Sequence, residues 1–330
     1  MKRNKKYTIG FISFTTLLII IGLLLATMLG AVHIDFLDIW NSIFNYSETL
    51  NLMLIRNVRI PRALSVLFTG GILGMTGAMI QGVTRNPIAE PSILGVSQGA
   101  TLVIAIFYVL GITISTSTVM IASFIGALIT GLIVLSFLSN KANNNSIAKI
   151  LLAGTAMSTF FISLTTIIGL LSNQSQMIGF WVFGGFRNAS WADFRLVFIA
   201  GVIGLSISIL LSPKINILNL GDDVAIGLGE NPEKIRFTTL MVMIPMCAAA
   251  VAVGKNIGFV GLIVPQVVRK ILGEDYKINI LCSFLLGAVL LTYSDIAARM
   301  LFDPYETPIG IFTALIGIPF FISVARKERG

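Results

Sequence analysis

The chain has 330 residues, of which 55% are hydrophobic and only 12% are charged, and its formal net charge is +8. Because a soluble domain carries about 25% charged residues, this composition, with a mean hydropathy of +0.91, excludes a water-soluble globule. The Lys and Arg residues lie at the ends of apolar blocks, so the basic balance indicates membrane topology rather than a nucleic-acid partner.

The apolar blocks predict an all-α, polytopic membrane protein with about ten spans. Each block holds roughly 20 residues, enough for a helix to cross the hydrocarbon core. The predicted spans are 9–31, 61–82, 92–110, 117–138, 147–170, 192–211, 236–254, 258–272, 278–298 and 308–325. The eighth is the shortest. The first is longer than the apolar core of a secretory signal peptide, so we expect a retained helix.

The distribution of positive residues predicts that both termini are cytoplasmic. With the N-terminus inside, most of the 23 Lys and Arg residues fall in inside segments, including the basic residues at both chain ends. Positive residues mark cytoplasmic loops, so this bias supports the assignment. The exceptions in outside segments are Arg56, Arg59, Arg62, Arg187, Arg195, Lys255 and Arg299.

Two local patterns predict how the helices are arranged. Residues 32–58 carry apolar side chains near helical spacing, which is typical of a short helix lying at the outer membrane interface. Within the second span, Gly70, Gly74 and Ala78 recur every four residues. Small residues at this spacing allow close approach of neighbouring helices in a bilayer.

Sequence patterns for catalysis are missing. There is no G-x-x-x-x-G-K-[ST] loop for ATP, His33 is the single histidine, and Cys247 and Cys282 lie inside apolar blocks. We therefore expect no enzymatic activity, and no cofactor or metal bound by this chain. Asp295 and Arg299 stand four residues apart in the ninth span. Two interpretations are open: an ion pair at the end of the helix, or a functional role for Arg299.

The energy for transport is expected to come from a partner. The spans are almost free of Asp, Glu and Lys, which disfavours an ion-coupled carrier working alone. The predicted inside loop, Ser212–Ile235, alternates apolar residues with Gly and acids. A short amphipathic helix between Pro213 and Pro232 would present an apolar face to a soluble partner; an ordinary capped connector is the alternative.

The run RIPRALSVLFTGGILGMTGAMIQGVTRNPIAEPSILGVSQGA (59–100) resembles the signature of the iron-siderophore, haem and cobalamin importer permeases of the FecCD type. These are ten-helix subunits of binding-protein-dependent ABC importers. The resemblance continues in ILLAGTAMS (150–158), WVFGGFRNASW (181–191), LNLGDDVAIGLG (218–229), IGFVGLIVPQVVRKILG (257–273), SDIAARM (294–300) and PIGIFTALIGIPFFI (308–322). It covers nearly the whole chain and implies one transmembrane permease domain, 1–330, with a coupling loop at about 213–232.

The resemblance implies a multi-pass protein of the bacterial plasma membrane that works in a complex. Its partners would be a second permease subunit, identical or paralogous, two ATPase subunits that hold ATP and Mg²⁺, and an extracellular or periplasmic substrate-binding protein. The implied substrate is a ferric siderophore, with haem and cobalamin as alternatives. The alternative functions, from other classes of membrane protein, are a stand-alone secondary transporter and a structural scaffold.

Three sets of residues acquire roles through the resemblance. The arginines that match the family's binding-protein docking residues are Arg59, Arg62 and Arg299, with Arg56 added only by proximity. The residues that match the loop seated in the ATPase are Leu220, Gly221, Ala225, Leu228 and Gly229. The positions that the resemblance gives for the inner gate, in RNPIAEP, are Asn86 and Ile88. Gln266 stands where the family often has His, so no role of that His is carried over.

Overall fold

A computed structural model describes residues 5–30, 34–111, 115–137, 146–173, 175–182, 184–302 and 305–327; His33 lies outside them. The described residues are helical and contain no strand. The fourteen α-helices are α1 (Lys5–Met28), α2 (Phe36–Phe44), α3 (Leu50–Leu54), α4 (Ile60–Thr84), α5 (Val96–Val109), α6 (Thr116–Ser136), α7 (Ser146–Leu171), α8 (Ser175–Val182), α9 (Trp191–Asn219), α10 (Asp222–Gly227), α11 (Pro232–Gly254), α12 (Val260–Leu272), α13 (Tyr276–Met300) and α14 (Ile309–Lys327).

The prediction of an all-α polytopic protein is confirmed, and each of the ten predicted spans coincides with a helix. Seven helices of the described chain are long and apolar enough to cross a membrane. Helices α5 and α12 are shorter, with 14 and 13 residues, or about 20 Å at 1.5 Å per residue. Neither reaches across a ~30 Å hydrocarbon core alone. Helix α12 begins inside the bundle, where the Gly261 carbonyl lies against Gly77 of α4.

Two helices extend past the predicted boundaries because the chain accommodates a proline. The helical rod that contains α4 begins at Leu50, not near residue 61, and passes through a π-helical turn at Ile55–Arg59. A π-turn relieves the clash that Pro61 would cause. Helix α9 continues to Asn219 although Pro213 lies inside it. There the Ser212 hydroxyl donates to the Ile209 carbonyl at 2.7 Å, which satisfies the acceptor that Pro213 cannot reach.

Helix α4 forms the centre of the bundle. In the apolar 18-residue stretch that could cross the membrane, 89% of its residues are buried. It packs against α13, α9, α11 and α12. Added Cβ atoms at Gly70 and Gly74 would overlap the carbonyls of Gly287 and Ser283 on α13. The predicted small-residue face is therefore the α4–α13 contact. Helix α7 is the most exposed of the long helices, since only 11% of the residues in its corresponding apolar stretch are buried.

The bundle has two ends that differ in chemistry. At one end, which we call the arginine end, lie Arg59, Arg62 and Arg299, near the C-terminus of α1 and the N-terminus of α14. At the opposite end, the α10 end, helix α10 connects α9 to α11. Which end faces the cytoplasm stays a prediction. The predicted interfacial helix is α2, at the arginine end, with Phe36, Leu37 and Trp40 exposed.

Candidate functional site

The three predicted docking arginines lie together at the arginine end and are all buried, with 6–8% of their surface exposed. Arg62 is held by two carboxylates. Its Nη2 lies 2.9 Å from Asp295 Oδ1 and its Nη1 lies 2.8 Å from Glu306 Oε1. Arg299 Nε lies 3.2 Å from the other oxygen of Asp295. Asp295 therefore connects the start of α4 to the end of α13. The interpretation of Asp295 and Arg299 as an ion pair agrees with these distances.

Arg59 and Arg299 also cap the C-terminus of α1. Arg59 Nη1 donates to the carbonyls of Thr27 and Met28, both at 2.8 Å. Arg299 donates to the carbonyls of Ala26 at 3.0 Å and Leu29 at 3.3 Å. The last carbonyls of a helix lack intrahelical donors, and a cation there is stabilised by the helix dipole. These contacts give the arginines a structural role in the chain; their docking role stays a prediction.

Other positive residues at the arginine end are accessible. Arg56, Arg187 and Arg195 are exposed, and the Arg56 guanidinium lies 4.6 Å from the ring centroid of Tyr46. The Arg56 carbonyl accepts a hydrogen bond from Trp191 Nε1 at 3.0 Å. The unequal distribution of positive charge identified these residues in the sequence, but the motif resemblance gave them no more than a weak role.

At the α10 end, the predicted coupling loop exposes apolar side chains. Leu220 and Leu228 are 66% and 61% exposed. Val224 and Ile226 of α10 are also exposed. Ala225 is fully buried and packs toward the bundle. The predicted residues Gly221 and Gly229 have φ angles of +125° and +80°, a region that favours glycine, so they set the path of the chain on either side of α10.

An ion-pair cluster that the sequence analysis did not identify fixes α10 to two helices. Asp222 accepts from Arg236 Nη2 at 2.7 and 3.0 Å and lies 3.0 Å from Arg85 Nη2. Arg236 also donates from Nε to the Val83 carbonyl at 3.2 Å. The hydrogen bond from Arg236 lowers the pKa of the Asp222 carboxyl, and the charges of Arg236 and Arg85 act in the same direction. Charges at the ends of neighbouring spans were the only sequence signal for this cluster.

The predicted gate residues lie in the turn that follows α4. Asn86 Oδ1 accepts from the backbone N–H of Ile88 at 3.0 Å, and Ile88 is 38% exposed. Gln266, at the position where the family often has His, donates to the Pro87 carbonyl at 2.6 Å. Gln266 therefore ties this turn to α12. Whether Asn86 and Ile88 form a gate stays a prediction.

Gln81 connects the same turn to the middle of the bundle. Its amide nitrogen donates to the carbonyls of Gly261 at 3.3 Å and Leu262 at 3.1 Å. Its amide oxygen accepts from Arg269 Nη2 at 2.6 Å. Arg269 belongs to α12, so α4, the turn and α12 form one hydrogen-bonded unit. Within the described residues, no group of three or more His, Cys, Asp or Glu side chains lies close enough together to hold a metal.

Comparison with known proteins gives a match over nearly the whole length. The sequence model of the FecCD transport family matches residues 17–327. The iron(3+)-hydroxamate import system permease protein FhuB of Bacillus subtilis is 37% identical over 94% of this chain and 82% of its own. The Fe(3+)-citrate import system permease protein YfmD of Bacillus subtilis is 36% identical, over 99% and 98%. The hemin transport system permease protein HmuU of Yersinia pestis is 30% identical, over 96% of each chain.

A solved structure has the same fold. The chain of a metal-chelate type ABC transporter in an inward-facing conformation superposes with a TM-score of 0.84 at 27% identity. The match covers 98% of this chain and 100% of that one. The similarity therefore includes both the arginine end and the α10 end.

Proposed function

This chain belongs to the FecCD transport family, and from that premise we propose that it imports ferric siderophores as the permease subunit of an ABC importer. It is a multi-pass protein of the bacterial inner membrane. ATP hydrolysis belongs to partner subunits, and this chain provides part of the path through the bilayer. Its relatives are named for iron chelates, among them a hydroxamate and a citrate, which supports the substrate class.

The exposed apolar side of α10 carries the proposal. Leu220, Val224, Ile226 and Leu228 all expose between 46% and 66% of their surface in a loop that lies outside the membrane spans. Several apolar side chains exposed together in one short loop outside the membrane mark a protein interface. Asp222, Arg85 and Arg236 tie this patch to α4 and α11, so a motion imposed on α10 would reach the inner end of both helices.

We assign the arginine end to the substrate-binding protein. Complementary charge steers association and fixes its register, and Arg56, Arg187 and Arg195 present exposed positive charge at this end. Arg59, Arg62 and Arg299 would act there by shaping the surface, or by exchanging Asp295 and Glu306 for carboxylates of the partner. Arg56→Glu and Arg195→Glu should weaken docking in a binding titration if exposed charge dominates. Unchanged affinity in both variants would exclude that role.

We assign the uncovered face of α7 to the second permease subunit. Leu152, Phe160 and Ile167 are exposed by 53–71%. The same helix also exposes Thr155, Thr159 and Ser163, one turn apart. A helix with both apolar and hydroxyl-bearing exposed residues fits a subunit interface that borders a polar path better than it fits lipid.

Co-expression with the neighbouring transport genes tests the assignment. The tagged chain should purify with an ATPase whose activity rises when the loaded binding protein is added. Haem is the second candidate substrate, because a hemin permease is 30% identical over 96% of the chain. Loading the binding protein with a ferric siderophore or with haem, and measuring which one stimulates the ATPase, separates the two. Stimulation by neither would contradict both.

A further inference from the structure

A cavity of about 400 Å³ lies between α5, α7 and α8. Its walls include Gln98 and Thr101 of α5, Thr165 and Thr166 of α7, Ile178 of α8, and Asn256 from the connection between α11 and α12. Small-molecule sites commonly have volumes of about 300–1,000 Å³, with mostly apolar walls and a few polar groups that orient the ligand. This cavity, which we call the α5–α7 cavity, has that character.

Two polar atoms in its walls have no partner. Among the described residues, Gln98 Oε1 and Thr165 Oγ1 are buried and make no hydrogen bond, and Thr165 is only 5% exposed. Two other hydroxyls of the cavity are satisfied within their own helices. Thr101 donates to the Ser97 carbonyl and Thr166 to the Ile162 carbonyl, both at 2.8 Å. Because buried polar groups are nearly always paired, the unpaired atoms indicate a ligand that forms hydrogen bonds.

None of the described residues that line the cavity is charged. Residues 91–110 and 150–186, which provide every residue of the cavity's lining except Asn256, include no Asp, Glu, Lys or Arg. Lys255 precedes Asn256 in the chain, and its Nζ lies 5.5 Å from the Trp181 ring centroid. It lines two other cavities, one that contains Asp193 and a smaller one that contains Glu90 and shares Ser97 with the α5–α7 cavity. Moving a charged ligand into a site without a counter-charge carries a large desolvation cost. The ligand that fits is therefore uncharged.

The cavity opens where α7 is exposed. Ile162 and Leu170, which line it, are 53% and 66% exposed. At the back, Gly169 approaches α8 so closely that a Cβ there would lie 3.1 Å from Ile178 Cδ1. The opening thus faces the side that we assign to the second permease subunit and the substrate path.

We propose that the α5–α7 cavity is a binding site on the substrate path, and that it selects ferric chelates of zero net charge. This inference rests on the proposed function. Fe³⁺ held by three singly deprotonated hydroxamates is neutral when the rest of the chelator is uncharged. The amide and hydroxyl groups of such chelates can pair with Gln98 and Thr165. Catecholate and citrate chelates of Fe³⁺ are anionic. Similarity alone does not choose between these classes, because the hydroxamate and citrate relatives are 37% and 36% identical.

The test measures equilibrium binding to the importer, permease with its ATPase, in nanodiscs without the binding protein. The probes are two iron-55 chelates, an uncharged ferric tris-hydroxamate and a strongly anionic ferric tris-catecholate. The uncharged chelate should bind more tightly. Gln98→Leu and Thr165→Val should each weaken its binding by about three- to tenfold, the value of one hydrogen bond. Ser206→Ala is the control, since Ser206 is on α9, outside the cavity's walls, and its hydroxyl donates to the Val202 carbonyl of its own helix at 2.8 Å.

A gain-of-function variant keeps the test informative if the first two fold poorly. Thr166 is exposed and lines the cavity, so Thr166→Lys should fold and should increase binding of the anionic chelate. Equal binding of both chelates by the wild type, or no response to Gln98→Leu, Thr165→Val and Thr166→Lys, would overturn the inference. Cross-linking of Thr166→Cys between two copies, undiminished by the uncharged chelate, would also overturn it by showing that a protein fills the cavity.

The failure of this inference can be told from failure of the proposed function. If the complete importer takes up either ferric chelate, and Gln98→Leu and Thr165→Val do not change that uptake, only the proposed role of the cavity is wrong. No uptake of any ferric chelate by the complete wild-type importer removes the proposed function itself.

Discussion

Asp295 contacts two arginines at once, so its carboxylate should matter more to stability than any other acid at the arginine end. In Asp295→Asn, Arg299 loses its carboxylate and Arg62 keeps only Glu306. Removing one partner of a buried ion pair costs about 3–5 kcal/mol. We expect a clear drop in the thermal midpoint of the purified protein. Glu48→Gln, at an exposed acid on the same side, is the control; equal midpoints for both variants would contradict the network.

Asp222 gives a prediction for pH. Its folded-state pKa is depressed, first by the hydrogen bond from Arg236, so its contribution to stability is present above the ordinary Asp pKa of about 4. That contribution is lost as pH falls through the folded pKa. The melting temperatures of the wild type and Asp222→Asn should therefore differ at pH 7 and converge toward pH 3. A difference that stays constant over that range would show that the carboxylate's charge is not involved.

Residue roles divide according to what a motif can and cannot predict. The motif RIPR placed Arg59 and Arg62 at a functional end of the bundle, yet it carried no information on whether their side chains face a partner. Burial followed from α1, whose C-terminal carbonyls accept from Arg59 and Arg299. Those carbonyls are more than 30 and 270 residues away in the chain, beyond any local pattern.

At the scale of elements, α10 should transmit force only while its apolar side is intact. Leu228 is 61% exposed, so Leu228→Asp should fold but interrupt contact with the ATPase. We expect substrate transport to fall by at least about tenfold, with the thermal midpoint unchanged. Leu228→Met is the matched control, because it keeps an apolar side chain at the same exposed position. Full transport by Leu228→Asp would rule out this face as the coupling surface.

The contact between α4 and α12 depends on Gly77. An added Cβ would overlap the Gly261 backbone, which cannot move aside as a side chain can. Overpacking of this kind costs about 1–3 kcal/mol, so Gly77→Ala should lower the thermal midpoint. Gly10→Ala provides the comparison, because nothing lies within 4 Å of a Cβ there. A midpoint equal to that of Gly10→Ala would mean that α12 packs differently.

Helix boundaries were predicted less well than helix existence, for a physical reason. Pro213 reads as a helix end in the sequence, but Ser212 supplies the missing hydrogen bond to Ile209 and α9 continues. Pro61 reads as a helix start, but a π-helical turn carries the helix through it. Helix α8, with only eight residues, was not predicted, because so short an apolar run carries no distinct period.

For the whole molecule, hydrophobicity predicted a helix at each of the ten span positions, because length and apolarity are local properties of each block. Two features could be seen only in the folded chain. Helices α5 and α12 are too short to cross the membrane alone, and Asp222 forms ion pairs with Arg85 and Arg236. The family resemblance implies the partners, and we propose that they bind at the exposed faces of α7 and α10.

ATP-driven uptake into proteoliposomes tests the central claim most directly. The vesicles would contain this permease with its second subunit and ATPase, and would receive the binding protein loaded with an iron-55 siderophore. We predict that iron-55 accumulates in the vesicles only when ATP is present on the side of the membrane that carries the ATPase. Accumulation should stop when Leu228→Asp is introduced. Uptake by the permease alone, driven by an ion gradient and indifferent to ATP, would contradict the account.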